Sequence, residues 1–207
     1  MYYLTDDVTV DAAAAVDGAS IMLDLKGHVI ETSTQVDTIP RVYVLKENST
    51  LSIYDSSEAG TGKIVSHRKY AANAGVIEIR GEGANFNLYS GTIDASDVEL
   101  LDKVTDDNTT SYYGAAVYVN SGTTFNMYGG TIIGGRAYFG GSVYVNANAK
   151  FHLEGGTITG GTATSYGGNV HVSADRTDGT NPGEFIMSGG TVTEGSGTDL
   201  CGNYGRI

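Results

Sequence analysis

The chain has 207 residues, 40% of them hydrophobic, with 30 glycines but only 2 prolines. Its 24 acidic and 12 basic residues leave a formal charge of −12 with no basic patch, which speaks against nucleic acid as a partner. No apolar run approaches the roughly 18 residues of a membrane span, so membrane insertion is not expected. Glycine enrichment without proline speaks against collagen-like or proline-rich chains and for many tight turns.

In chain order, Met1-Tyr-Tyr-Leu-Thr carries neither a basic nor an apolar leader segment, so no signal peptide is expected at this start. The chain reads as one domain, residues 1–207, excised from a larger protein. An opening copy of a repeat pairs Val8 to Val10 with IMLDLKGHVI (Ile21 to Ile30). VYVLKENSTLSIYDSSEAGTGKIVS begins at Val42, and GVIEIRGEGANFNLYSGTID at Gly75. An acidic insertion spans 94–111. The strongest copies follow: GAAVYVNSGTTFNMYGGTIIGG from Gly114, GGSVYVNANAKFHLEGGTITGG from Gly140, and a third from Gly167. Val117, Val143 and Val170 lie 26 and 27 residues apart, and Phe151 and Phe185 lie 34 apart. The third copy therefore carries a further loop insertion, 175–183. CGNYGRI, from Cys201 to Ile207, looks like the start of another coil. One cysteine provides neither an internal disulfide nor a cysteine-based zinc site.

Each copy holds three short alternating runs: V-x-V, F-x-M/L, and a single β-branched residue after Gly-Gly-Thr. Period-two alternation of branched and aromatic residues between glycine-rich breaks marks strands and turns. Runs this short need stacking, coil on coil, in parallel pairs about 4.8 Å apart. The expected fold is all-β, a right-handed parallel β-helix of about six coils with single-file strands. Its inward columns are Leu51, Phe86, Phe125, Phe151, Phe185; Ile53, Leu88, Met127, Leu153, Met187; and Ile64, Ile93, Ile132, Ile158, Val192. The recurring glycine pairs mark corners where a Cβ would be opposed. Tyr113, Phe139 and Tyr166 form a further column that reads as corner packing.

These Gly-Gly-Thr-Ile coils, with LDLKGHVI and LSIYDSSEAGTGKI, resemble the repeats of adhesin-like bacterial surface proteins with a pectate-lyase-like parallel β-helix. The resemblance covers nearly the whole chain. It implies a module of a long, secreted, cell-wall-associated protein.

The chemistry-bearing residues form no recognised set. A lyase needs calcium-holding carboxylates and a basic proton acceptor. The acids Asp94, Asp97, Glu99, Asp102, Asp106 and Asp107 cluster in the insertion without a base at matched phase, so a solvated loop is expected. Asp24, Asp55 and Glu78 share no motif for a two-carboxylate glycosidase. His28, His67, His152 and His171 lack metal-ligand spacing; each reads as an outward polar residue. Neither a cofactor nor a metal site is assigned, and no catalytic residue.

The most suggestive feature is aromatic. If the V-x-V residues point inward, Tyr43, Glu78, Tyr118, Tyr144 and His171 point outward, one per coil. The expected ligand-binding row is Tyr43, Tyr118, Tyr144 and His171, stacking on a glycan or packing against a host-surface protein. The function expected first is a non-catalytic, adhesin-like or glycan-binding module. A polysaccharide lyase or glycoside hydrolase on a degenerate β-helix, and a structural stalk, stay open as alternatives.

Overall fold

The computed structural model describes residues 1–33, 41–69, 75–100, 103–105, 108–110, 112–174, 181–193, 195–196 and 200–202. The described residues form no helix; strands occur as three seven-stranded parallel sheets and two small two-stranded ones. The chain visits the three large sheets in rotation. The first sheet stacks Tyr2–Tyr3, Ser20–Asp24, Thr50–Tyr54, Asn85–Leu88, Thr124–Met127, Lys150–Leu153 and Glu184–Met187. The second stacks Val8–Val10, Val29–Thr32, Lys63–Val65, Thr92–Asp94, Thr131–Ile133, Thr157–Thr159 and Thr191–Thr193. The third stacks Ala14–Val16, Tyr43–Leu45, Ile77–Ile79, Val117–Val119, Val143–Val145, Val170–Val172 and Leu200–Gly202.

This is a parallel β-helix with seven rungs in each sheet. The strands beyond the expected six copies lie at both ends: Tyr2–Tyr3 and Val8–Val10 in the first two sheets, and Leu200–Gly202, where another coil was expected to start, in the third. Val8–Val10 does not share a coil with Ile21 to Ile30; it pairs with the next copy of its own run, Val8 opposite Ile30.

All three expected columns form in register and are buried up to the last rung, where Met187 is exposed and Val192 only half-buried. Phe86 pairs with Leu51 and Phe125, Phe125 with Phe151, and Phe151 with Phe185. The four phenyl rings are buried and stack with centroids 5.1, 4.5 and 4.9 Å apart. The columns of Ile53 and of Ile64 hold the same register from rung to rung. Stacking like on like lets one rotamer recur along the axis, so the core fills without a mixture of shapes.

The corners explain the glycine pairs. Gly156 has φ 89°, and a Cβ there would lie 2.5 Å from the Gly130 carbonyl oxygen of the rung below. Both facts exclude a side chain: the left-handed conformation and the close passage of one rung over the next.

A partial fourth layer lies outside the third sheet. Arg136–Phe139 pairs in parallel with Thr162–Tyr166, and single bridges tie Lys69 to Glu99, Glu99 to Arg136, and Tyr113 to Phe139. The Gly135 N–H donates to the Gly141 carbonyl at 2.9 Å, so 135–141 leaves the coil and returns to it as a closed lobe.

The insertion at 94–111 is divided by this layer. Ala95, Val98 and Leu100 are buried in the core, and Glu99 bridges its neighbours. Beyond them, Lys103–Thr105 and Asn108–Thr110 form a two-stranded antiparallel ribbon. In the 175–183 insertion, the Gly183 N–H returns to the Ser173 carbonyl at 2.7 Å; 175–180 lies outside the described residues.

Candidate functional site

The expected aromatic row breaks at its first member. Tyr43 pairs with Ile77, and Val44 with Glu78, one residue out of step with a row running through Tyr43. Tyr43 stands over Ala14, packs against the main core, and is half-buried. Burial pushes its phenol pKa up to about 12. The reason is Leu45: setting this side chain over Val16 and under Ile79 puts Tyr43 in the inward phase.

Glu78, Tyr118, Tyr144 and His171 do follow one another in register on the outer side of the third sheet. Yet Tyr118, Tyr144 and His171 are only 8%, 7% and 3% exposed. The lobes fold over them. Tyr113 stacks on Tyr144 at 4.7 Å and Phe139 on His171 at 4.6 Å. Tyr113, Phe139 and Tyr166 themselves stack at 5.6 and 5.9 Å, as the corner-packing reading expects. The two columns interlock as a second apolar cluster outside the β-helix core. Burial raises the Tyr118 phenol pKa and depresses the His171 imidazole to about 4. Tyr118, Tyr144 and His171 therefore face away from the main core without facing solvent.

An exposed run of stacked tyrosines lies along the first sheet; Tyr2, Tyr3 and Tyr166 are exposed as well. Tyr89 and Tyr128 are 37% and 40% exposed, and their rings stack at 4.7 Å. Tyr54 stacks on Tyr89 at 4.5 Å with the planes 4° apart. Backbone pairing holds the rib: the Tyr89 N–H donates to Ile53 at 3.0 Å and the Tyr128 N–H to Leu88 at 2.8 Å. The three rings stack one on the next along successive rungs.

Beside this rib, two residues back along each strand, runs a polar ladder. Asn87 Nδ2 donates to Ser52 Oγ at 3.1 Å, and Asn126 Nδ2 to Asn87 Oδ1 at 2.9 Å. His152 Nδ1 lies 3.1 Å from Asn126 Oδ1. That oxygen can only accept, so Nδ1 carries the proton and donates. The ladder is polarised in one direction, each rung donating to the one before it. The sequence signal for this face is a tyrosine directly after the second inward residue in three consecutive copies: Ile53-Tyr54, Leu88-Tyr89, Met127-Tyr128.

The acids considered for hydrolysis are engaged in structure. Asp24 accepts from the Ser56 hydroxyl and from the N–H groups of Lys26 and Ser56. Asp55 accepts from the N–H groups of Gly27, Ser57 and Gly62 and from the Ser57 hydroxyl. Burial opposes ionisation of both, but these donors outweigh it and hold both carboxyls below the usual range. Asp94 accepts from the Ser96 N–H and hydroxyl. Asp97 faces His67 Nδ1 at 2.9 Å, with Glu31 at 3.4 Å from Nε2. Asp102, Asp106 and Asp107 lie outside the described residues. No group of three or more His, Cys, Asp or Glu able to hold a metal occurs among the described residues. An open cleft of about 300 Å³, lined by Asp17, Lys46, Glu47, Arg80, Gly81 and Glu82, mixes both signs of charge; Lys46 is tied to Asp17 at 2.9 Å.

Compared with protein-family models, with curated proteins and with solved structures, the chain matches none.

Proposed function

We propose that this chain is a non-catalytic glycan-binding module of adhesin-like type, secreted or held at a bacterial cell surface, and that it binds through the outer face of the first sheet. The observation that carries this reading is the exposed rib of Tyr54, Tyr89 and Tyr128 beside the hydrogen-bonded ladder of Ser52, Asn87, Asn126 and His152. A glycan presents a repeating set of hydroxyls and apolar C–H edges. The face offers a polar side chain at each of four rungs, the Ser52 hydroxyl, the Asn87 and Asn126 amides and the His152 imidazole, beside stacked phenol rings. Because the strands are paired on both sides, the groups are held in place before binding, which lowers the entropic cost of association. The coil repeats that resemble bacterial surface proteins support the setting, and the engagement of Asp24 and Asp55 in turns favours binding over hydrolysis.

The test is a glycan array probed with the parent protein and with Tyr89→Ala. The proposal expects retention of one class of neutral glycan by the parent and at least a tenfold loss in the variant. Equal retention by both proteins places binding elsewhere; retention of nothing by the parent leaves the stalk reading in its place.

A further inference from the structure

The outer side of the first sheet carries an area without charge. On Thr50–Tyr54, Asn85–Leu88 and Thr124–Met127, each read on to its tyrosine, the residues between the buried columns alternate to the outer side. Each of these three rungs presents a threonine or asparagine, then a serine or asparagine, then a tyrosine. None of these side chains is charged at neutral pH, in a chain with 24 acidic and 12 basic residues. The next rung ends the area, with Lys150, His152 and Glu154 in the same three positions.

Stacking alone does not demand this neutrality. Like charges in register repel, but opposite ones attract, and Lys150 stands in register with Glu184 one rung further on. The outer side of the second sheet carries Glu31, Lys63 and Asp94 on three consecutive rungs. The uncharged area gives an ionic partner nothing to pair with, and the formal charge of −12 around it disfavours anions.

The repeat sets a direction. From rung to rung the side chains are alike: Ser52, Asn87 and Asn126 are joined by hydrogen bonds, and Tyr54, Tyr89 and Tyr128 by stacking. The step between them is about 4.8 Å. Along one strand the outward side chains differ in kind and lie two residues, about 6.6 Å, apart. A polymer of identical units meets identical partners only by running across the rungs. Pyranoses joined equatorially at both ends, as in β-1,4-linked glucose, xylose or mannose, form a straight chain that advances by close to one rung per unit. Such a chain carries hydroxyls on its edges and C–H groups on its faces, which suits amides beside phenol rings. Units linked α-1,4 coil away from a straight row.

We propose that the first-sheet face selects a linear, uncharged, β-1,4-linked glycan, lying along the helix axis between Tyr54 and His152 with one sugar to a rung. This rests on the glycan-binding reading above and adds to it the linkage, the charge and the direction of the ligand.

The probes are β-1,4-linked gluco-, xylo- and manno-oligosaccharides of two to six units, with malto-oligosaccharides and oligogalacturonates of the same lengths as comparators. Binding is followed by calorimetry and by the NMR ring signals of Tyr54, Tyr89 and Tyr128. At least one neutral β-1,4 series should bind, gaining at least tenfold in affinity from two units to four and little from four to six. The malto-oligosaccharides and oligogalacturonates should bind at least tenfold more weakly, and Tyr89→Ala should lose the binding. A nitroxide at the reducing end of the bound tetrasaccharide should broaden the ring signals at one end of the row, Tyr54 or Tyr128, more than at the other. Equal broadening of all three rings overturns the direction. Affinity independent of length, equal binding of a comparator series, binding that persists in Tyr89→Ala, or no binding by any neutral β-1,4 series overturns the selectivity. A branched or charged glycan retained on the array and lost in Tyr89→Ala would leave the proposed function standing and overturn this inference alone; a parent that retains nothing removes both.

Discussion

The ring of Phe139 lies 4.6 Å from the imidazole of His171, tilted by 28°, and closes over it from outside the β-helix. Tyr144 stacks on the same imidazole at 5.3 Å. The consequence is electrostatic as well as steric. The imidazole is buried, its Nδ1 has no hydrogen-bond partner, and burial depresses its pKa to about 4.

A pH dependence follows. The unfolded chain protonates His171 near pH 6.5, while the folded chain stays neutral down to about pH 4. The unfolded state therefore binds the extra proton across that window. Stability is complete above pH 6.5 and falls by about 3 kcal/mol as the pH drops to about 4. His67 acts in the opposite sense. Burial pulls its pKa down, but Asp97 and Glu31 outweigh this and raise it, so its contribution is present at pH below 6.5 and lost as pH rises through the folded value. Asp24 and Asp55, both lowered from 3.8, lose theirs only at more acid pH. Urea midpoints at pH 7, 5.5 and 4.5 separate these terms. His171→Phe should flatten the decline; an unchanged decline would assign acid sensitivity to other groups.

The phenylalanine column predicts position-dependent losses. Phe125 lies between Phe86 and Phe151, stacked on both. Truncating it to alanine opens a cavity that rigid strands cannot close, at a cost of roughly 3–5 kcal/mol. Phe185 stacks on Phe151 alone, and Met187 on the same strand is exposed. Phe185→Ala should therefore cost less than Phe125→Ala in equilibrium urea unfolding. The reverse order would mean that the last rung is held by contacts outside this column.

Two glycines that flank the strand Thr157–Thr159 separate strain from collision. Gly156 and Gly160 both have positive φ, 89° and 73°. At Gly160 an added Cβ meets nothing closer than 3.7 Å, so Gly160→Ala should cost only the left-handed strain, about 1–2 kcal/mol. At Gly156 the Cβ also meets the Gly130 carbonyl oxygen at 2.5 Å, and Gly156→Ala should cost clearly more. Equal denaturation midpoints for the two variants would show that the rungs separate freely.

The inward columns were legible because F-x-M/L stands at fixed distance before each Gly-Gly-Thr. Only one register then places Phe125, Phe151 and Phe185 together, as they are found. Tyr43 was not, because Val42-Tyr43-Val44-Leu45 admits two alternations and only the partner rung chooses between them. The burial of Tyr118 and Tyr144 was not legible either. Alternation within a strand tells inside from outside of its own sheet, but not whether a lobe such as 135–141 folds over the outer side. The tyrosine rib carried a signal of its own, but Tyr54, Tyr89 and Tyr128 lie just beyond the alternating runs, where a turn residue is expected.

Two paired truncations distinguish the buried tyrosines from the exposed ones. Tyr118 and Tyr144 are enclosed with Tyr113 and Phe139 in an apolar cluster. Removing both rings takes away the surface on which the lobes pack. Tyr118→Ala with Tyr144→Ala should therefore lower stability by several kcal/mol, less than the sum of the single changes because the rings touch each other. Proteolysis should then cut first within the lobes, at 136–139 or 162–166. Tyr89 and Tyr128 stack mainly on each other and on Tyr54, and both are exposed. Tyr89→Ala with Tyr128→Ala loses that stacking, about 0.5–1.5 kcal/mol per ring pair, and leaves the buried columns intact. The urea midpoint should move little, while glycan retention should fall at least tenfold. If the exposed pair binds like the parent and the buried pair, still folded, does not, the ligand contacts the lobe side of the third sheet and the first-sheet face is surface packing alone.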